Sequence, residues 1–157
     1  MSVAKLSTVE DTREFGRDLA RRLRPGDLVV LTGPLGAGKT VLAQGVGAGL
    51  GVAGEVTSPT FVIARVHRPD PARGGRVPMV HADAYRLGAV SDPRGEVDAL
   101  DLDASLEESV TLVEWGEGLV EQLSDAYLEV RIDRLDDDSR LVELIGHGGD
   151  WVARLDG

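Results

Sequence analysis

The sequence predicts an α/β domain with a central, mostly parallel sheet that carries antiparallel additions, including a C-terminal hairpin. DLVVLTG at 27–33 is a short apolar strand of the kind buried on both faces of a parallel sheet, and a glycine-rich turn follows it. VPMVHAD at 77–83 and VTLVEW at 110–115 predict two more buried strands. YLEVRID at 127–133 and RLVELIG at 140–146 flank the polar stretch RLDDDS, which predicts the hairpin.

The elements around the first apolar strand follow from local signals. Ser7 and Glu10 match a capping box, and apolar residues continue at helical spacing, so a first helix is predicted over residues 8–23. FVIARVH at 61–67 predicts a strand. RPDPARGGR at 68–76 predicts a flexible loop that joins this strand to the next as a hairpin.

A second helix is predicted from Lys39 to Leu50, with its end near Gly51. It contains glycine at positions 45, 47 and 49, each of which weakens a helix by up to about 1 kcal/mol relative to alanine. Because these glycines weaken the helix, their presence indicates that the helix packs closely against a neighbouring element, and the sheet is the expected neighbour.

The remaining segments show weaker patterns. Residues 91–109 are acidic, a short helix is predicted at 117–123, and the tail at 147–157 shows no clear pattern. No internal repeat or linker interrupts the chain, so residues 1–157 are predicted to form a single domain.

Composition excludes several classes of function. The chain has no cysteine, which excludes disulfides, cysteine-ligated zinc and a cysteine nucleophile. Its formal net charge is −10, which disfavours direct binding of nucleic acid, whether DNA or RNA. The start MSVAKLSTVEDTREF resembles no targeting signal, and no run is apolar enough to span a membrane, so a cytoplasmic protein is expected.

GPLGAGKT at 33–40 matches the phosphate-loop pattern G-x-x-x-x-G-K-[ST], with a strand before it and a helix after it. In such a loop backbone N–H groups face phosphates, Lys39 reaches the terminal phosphates and Thr40 can bind Mg²⁺. Pro34 lacks an N–H, but the donors lie mainly from Gly36 onward. The predicted nucleotide-binding residues of this segment are Gly33, Pro34, Leu35, Gly36, Ala37, Gly38, Lys39, Thr40 and Val41.

Two apolar strands end in carboxylates, at Asp83 and Glu114. Because the carboxyl ends of parallel strands meet at one edge of a sheet, both acids are expected beside the phosphate loop. Glu114 is assigned to Mg²⁺ together with Thr40, and Asp83 to orienting or activating the attacking water. Either acid can be the direct ligand of the metal, so both are candidate metal ligands, and with Lys39 they are the candidate catalytic residues.

Other side chains have two interpretations. Thr60 in SPT can sense the terminal phosphate as a switch-loop threonine does, or it can simply form a turn. Trp115 next to Glu114 is either a packing residue or a neighbour of the nucleotide. His81 is either a neighbour of the candidate acid Asp83 or a packed interior residue. His67 and His147 are expected to be surface or structural residues.

Elimination reduces the number of candidate nucleotides and leaves three candidate functions. Guanine-specific sites use an N-K-x-D or T-K-x-D segment, and the only lysines, Lys5 and Lys39, lie in no such setting, which favours ATP. An ATPase is the first hypothesis. A stand-alone small-molecule kinase is an alternative, with the arginine-rich segment Arg65–Arg76 as a lid, and a nucleotide-sensing module that rarely hydrolyses is another.

The four segments GPLGAGKT, SPTF, HADAYRL and LVEW occur in an order and spacing that resembles the TsaE (YjeE) family of tRNA threonylcarbamoyladenosine biosynthesis proteins, over most of residues 8–133. The resemblance implies a three-layer P-loop NTPase-like domain with ATPase activity, and TsaD and TsaB as partners. That complex transfers a threonylcarbamoyl group to adenosine 37 of tRNA, and TsaE-type hydrolysis is expected to reset it.

The resemblance also implies roles for individual residues. It places Lys39 and Thr40 at the phosphates and Mg²⁺, Thr60 in a switch-like segment, and Trp115 beside the nucleotide. Asp83 and Glu114 are implied at the metal and water, in agreement with their position at strand ends. The sequence departs from the family at Pro34, where Asp is common, and the acidic charge fits a protein that meets tRNA only through its partners.

Overall fold

The computed structural model describes residues 2–33, 38–52, 64–83, 109–114 and 126–156. The short helix predicted at 117–123 and most of the acidic stretch at 91–109 lie outside these residues. Within the described ranges, no helix has the length and apolarity needed to cross a membrane.

The described residues form seven strands, three α-helices and a short 3₁₀ turn. In chain order they are β1 (Ser2–Leu6), α1 (Val9–Ala20), β2 (Leu28–Thr32), α2 (Lys39–Leu50), β3 (Ala64–His67), a 3₁₀ turn (Pro71–Arg73), β4 (Met79–Asp83), β5 (Val110–Glu114), β6 (Tyr127–Arg134), β7 (Arg140–His147) and α3 (Trp151–Asp156).

The strands form one sheet of seven in the order β1-β7-β6-β2-β5-β4-β3. The central strands β6, β2, β5 and β4 run parallel, and β3, β7 and β1 are antiparallel to their neighbours. This arrangement confirms the predicted α/β fold and the C-terminal hairpin. Strand β1 was not predicted, because SVAKL is a short edge segment whose place in the sheet comes from pairing with β7.

The phosphate-loop strand β2 is buried along its whole length, as the apolar run predicts. Val29 and Leu31 belong to one hydrophobic cluster with Leu42 and Val46 of α2. Val30 points to the opposite face of the sheet and is only 1% exposed. Both faces of the central sheet are therefore covered at β2, which is the arrangement of a three-layer domain.

Helix α1 begins one residue later than the capping box at Ser7 and Glu10 predicts. Thr8 is the N-cap: its Oγ1 accepts from the N–H of Asp11 at 3.0 Å, and the Thr8 N–H donates to the Asp11 carboxylate at 3.2 Å. Glu10 instead accepts from Arg13 at 2.7 Å. The capping-box pattern fits Ser7 with Glu10 and also Thr8 with Asp11. In the fold Asp11 bonds to Thr8 and Glu10 bonds to Arg13, so Thr8 is the N-cap.

Helix α2 has the predicted bounds and ends at Gly51, whose φ of 73° allows the left-handed cap. The sheet was the predicted packing partner of its glycines, and this prediction is wrong for Gly45 and Gly49. A Cβ at Gly45 would lie 2.1 Å from the carbonyl oxygen of Arg13, and one at Gly49 would lie 2.8 Å from that of Arg17. The glycines therefore allow close approach of α1 to α2, while larger side chains such as Leu42 face the core.

The tail without a clear pattern forms helix α3, which packs on β7. Trp151 is 3% exposed and belongs to the core. Arg154 lies over its ring and donates two hydrogen bonds to the carboxylate of Asp27, at 2.9 and 2.7 Å. This hydrogen-bonded pair raises the pKa of Arg154 despite its partial burial. Helix α3 is thereby fixed to the turn just before β2.

Candidate functional site

The carboxyl ends of β2, β5 and β4 form one edge of the sheet. Leu31 of β2 pairs with Glu114 of β5, and Glu114 pairs with Asp83 of β4. The structure therefore brings the two acid-bearing strand ends to adjacent positions at the edge where the phosphate loop begins. We call this edge the loop edge.

Both described glycines at the ends of the phosphate loop have backbone conformations that favour glycine. Gly33 has a φ of 144°, and a Cβ there would lie 2.2 Å from the carbonyl oxygen of Ile132. Gly38 has a φ of 109° and is the N-cap of α2. Between them, Pro34, Leu35, Gly36 and Ala37 were predicted to bind nucleotide and lie outside the described residues.

Lys39 is the first residue of α2 and is only 6% exposed. Its Nζ donates to the carbonyl oxygen of Gly33 at 2.5 Å, which joins the two ends of the loop. Thr40 and Val41 follow and are half-buried. The ammonium group and the positive end of the helix dipole act at the same place, so the start of α2 attracts an anion.

His81 contacts Glu114 inside the protein. The His81 Nε2 lies 2.8 Å from the Glu114 Oε2, and the two side chains are 0% and 5% exposed. The sequence placed His81 next to Asp83 or in the packed interior, and its contact with Glu114 was missed. The sequence carries no local signal for this contact, because only the register between β4 and β5 brings His81 near Glu114.

Arg140, at the start of β7, also lies beside the phosphate loop. Its Nε is 3.8 Å from the position that a Cβ would take at Gly38, and its Nη1 donates to the carbonyl oxygen of Asp138 at 2.6 Å. The sequence did not single out this residue, because only the sheet order brings β7 near the start of α2. Its guanidinium adds positive charge next to the loop.

The lid was predicted over Arg65–Arg76, and its loop part at 68–76 lies at the end of the sheet opposite the loop edge. The 68–76 loop joins β3 to β4 as predicted, but the N–H of Asp70 donates to the carbonyl of Gly51 at 2.8 Å and Arg73 donates to that of Val52 at 3.2 Å. These carbonyls are at the end of α2, and the 12-residue helix places them about 18 Å from its start. The lid hypothesis is wrong for this loop.

His67 and His147 were expected to be surface or structural residues, and in the fold both are structural. His67 is buried, and His147 lies 3.0 Å from the Glu129 carboxylate and stacks on Tyr127 with ring centroids 4.4 Å apart. Thr60 and Trp115 lie outside the described residues, so their predicted roles stay predictions.

The donors at the loop edge fit Mg²⁺ bound with a nucleotide. Among the described residues, no group of three or more His, Cys, Asp or Glu side chains could hold a metal alone. Mg²⁺ is usually held by one or two carboxylates together with substrate phosphates, and prefers oxygen ligands. Glu114 and the Thr40 hydroxyl supply oxygen atoms of this kind, and Asp83 is paired in register with Glu114.

A buried strand that ends before Gly33 and a helix that follows Gly38 and begins with a buried lysine define a P-loop-like α/β protein. The fold agrees with that of the crystal structure of Bacillus subtilis YdiB. The TM-score is 0.78 at 28% sequence identity, over 99% of this chain and 91% of that one.

Sequence comparisons define the family. The family model for "Threonylcarbamoyl adenosine biosynthesis protein TsaE" matches residues 6–142. The "tRNA threonylcarbamoyladenosine biosynthesis protein TsaE" of Streptomyces coelicolor is 56% identical over 145 residues, 90% of this chain and 94% of the relative. The protein of the same name from Bacillus subtilis is 35% identical over 140 residues, 88% and 82% of the two chains. The chain belongs to the TsaE family, which acts in tRNA threonylcarbamoyladenosine biosynthesis.

Proposed function

We propose that this chain is a Mg²⁺-dependent ATPase of the tRNA threonylcarbamoyladenosine machinery. It hydrolyses ATP in the cytoplasm to support or reset a threonylcarbamoyl transferase complex of TsaD and TsaB homologues. The observation that carries the proposal is the pair of buried charges at the loop edge, Lys39 after β2 and Glu114 at the end of β5.

Burying charged groups is costly unless they meet partners, and such groups cluster at functional sites. Lys39 is 6% exposed and Glu114 is 4% exposed. A Mg²⁺–nucleotide carries both signs of charge, so it complements both residues: the phosphates suit the ammonium, and the metal suits the carboxylate. This complementarity is the physical support for nucleotide binding here.

Each residue has a role in the proposed reaction. Lys39 exchanges the carbonyl of Gly33 for a terminal phosphate oxygen. Thr40 and Glu114 hold Mg²⁺, which supplies neutralisation of phosphate charge when it is bound. Asp83 orients the water, whose oxygen attacks the γ-phosphorus as the bond to the β–γ bridging oxygen breaks, giving ADP and phosphate.

ATP is proposed as the nucleotide because neither lysine of the chain lies in a guanine-reading segment. The partners hold the tRNA. At a net charge of −10 the chain repels a polyanion at long range, so its contact with tRNA is indirect.

The proposal is tested by steady-state hydrolysis of Mg²⁺-ATP by the purified chain, alone and with its own TsaD and TsaB counterparts. We expect slow turnover alone and at least tenfold stimulation by the partners. Glu114→Ala should abolish the stimulated rate, while Glu143→Ala, the same charge change on β7, should keep it. Asp83→Ala should bind ATP and fail to turn over.

Other outcomes would support other functions. If the partners do not change the rate and an added small molecule becomes phosphorylated in step with ADP formation, the chain is a kinase. If ATP binds but no arm shows turnover, and Glu114→Ala binds it as the wild type does, the chain is a nucleotide-sensing module. Either result would contradict the proposed function.

A further inference from the structure

We propose that His81 is a positioning residue for Glu114. Its ring nitrogen holds one oxygen of the carboxylate and so fixes the direction in which the other oxygen is presented at the loop edge. This inference rests on the proposed function, because it assigns to Glu114 the role of a ligand for a Mg²⁺–nucleotide.

The geometry of the two strands makes this contact possible. His81 of β4 lies opposite Leu112 of β5, and Glu114 is two residues further along β5. Residues diagonal to one another on adjacent strands share a face and are within reach of long side chains. The His81 Nε2 and the Glu114 Oε2 are 2.8 Å apart, and neither side chain is more than 5% exposed.

The partner of Nε2 determines the tautomer of the ring. A carboxylate oxygen accepts, so Nε2 carries the hydrogen and donates it. The other ring nitrogen, Nδ1, is buried and has no hydrogen-bond partner in the part of the chain that the structure describes. An unpartnered buried nitrogen lowers stability, and an apolar side chain of similar size would avoid this cost. Packing alone therefore does not explain a histidine at this position, whereas the bond to Glu114 does.

Fixing the carboxylate has a chemical consequence. A glutamate side chain has several rotatable bonds, and a group that must meet a metal ion and phosphates acts best when its orientation is set in advance. Loss of a hydrogen bond that orients a metal ligand typically costs 10–100-fold in metal affinity or activity. Because His81 acts through Glu114, its loss should raise the Mg²⁺ requirement and lower kcat, while the affinity for ATP without Mg²⁺ stays unchanged.

Two variants separate positioning from packing. His81→Leu keeps an apolar side chain of comparable size and removes the donor, and His81→Gln keeps an N–H donor near the position of Nε2. Each is measured for kcat, for the Mg²⁺ concentration at half-maximal rate, for ATP affinity in EDTA and for thermal stability. We expect His81→Leu to lose roughly 10–100-fold in kcat or in Mg²⁺ affinity, and His81→Gln to recover most of the loss. Equal rates and Mg²⁺ requirements in the wild type and both folded variants would overturn the proposal.

A second measurement needs no enzymatic activity. Long-range ¹H–¹⁵N correlation spectra report the tautomer of each imidazole in the wild-type protein. The signals are assigned with variants in which one histidine at a time is replaced. We expect His81 to carry its hydrogen on Nε2, and Glu114→Gln to shift its nitrogen signals while those of His147 remain in place. A hydrogen on Nδ1 with Nε2 bare would overturn the proposal even if ATP hydrolysis is normal. An inactive wild type with the expected spectrum would instead contradict the proposed function alone.

Discussion

Gly45→Ala tests the close approach of α1 and α2, because helix propensity and helix packing predict opposite changes in stability for this substitution. Helix propensity alone favours the alanine by about 1 kcal/mol. In the fold, however, the added Cβ would lie 2.1 Å from the carbonyl oxygen of Arg13, where ordinary contacts are 3.4–4 Å. We expect the substitution to destabilise the protein.

The magnitude follows from what must move. The obstructing atom is backbone, so no side-chain rotation can relieve the contact, and the helices must separate by more than 1 Å. Overpacking of this kind costs up to about 3 kcal/mol. Subtracting the gain of about 1 kcal/mol from propensity leaves a net loss of about 2 kcal/mol. For a chain of 157 residues this loss corresponds to a fall in Tm of roughly 4–8 °C.

The assay is urea unfolding followed by far-ultraviolet circular dichroism, with the slope m compared between variants. Ala48→Gly, at an exposed position of the same helix, is the control that measures propensity without packing and should lose about 1 kcal/mol or less. If Gly45→Ala is as stable as the wild type or more so, the inferred contact between the helices is wrong.

Three further predictions address the ends of the fold and the loop. Arg154→Ala leaves the nearly buried carboxylate of Asp27 without its guanidinium and should cost about 3 kcal/mol in urea unfolding. Arg21→Ala removes an exposed pair and should cost less than about 0.5 kcal/mol. Equal losses would show that the Arg154–Asp27 pair does not hold α3 to the turn before β2. Burial acts to raise the pKa of Glu129, but hydrogen bonds from a histidine, an arginine and a threonine outweigh it and lower the pKa from its ordinary 4.5. The ionised carboxylate therefore stabilises the fold above pH 4.5, and this stabilisation is lost as the pH falls through the lowered pKa. Below about pH 4.5 the wild type should therefore lose stability more steeply than Glu129→Gln, and parallel curves would refute this. Lys39→Ala should weaken ATP binding by roughly 10–100-fold in a fluorescence titration, and Lys5→Ala, the same charge change on β1, should bind as the wild type does; full affinity in Lys39→Ala would reject the loop assignment.

What the sequence predicts correctly rests on local pattern. The apolar run before Gly33 and the glycine at position 51 define β2 and the end of α2, and polar residues around Asp137 separate the hairpin strands. The adjacent register positions of Asp83 and Glu114 need one more step, that the strands are parallel, and the apolar character of the strands predicts it.

What the sequence does not predict depends on which distant segments are neighbours. Arg140 lies beside Gly38 only because of the sheet order and the packing of α1 and α2, and neither is encoded in the residues around it. The glycines of α2 indicate a close neighbour without identifying it, and the sheet was predicted where Gly45 and Gly49 in fact contact α1. His81 follows the same rule: its pattern predicts burial, and only the register with β5 reveals Glu114.

The sheet order also determines when the phosphate loop can form during synthesis. Strand β2 ends at Thr32, but its two neighbours are residues 110–114 and 127–134, so the strand that carries the loop leaves the ribosome long before either neighbour exists. At about 5–20 residues per second, the second neighbour is complete roughly 5–20 s later. During that interval the apolar strand has both edges unpaired, and unpaired edges of this kind promote aggregation before folding is complete.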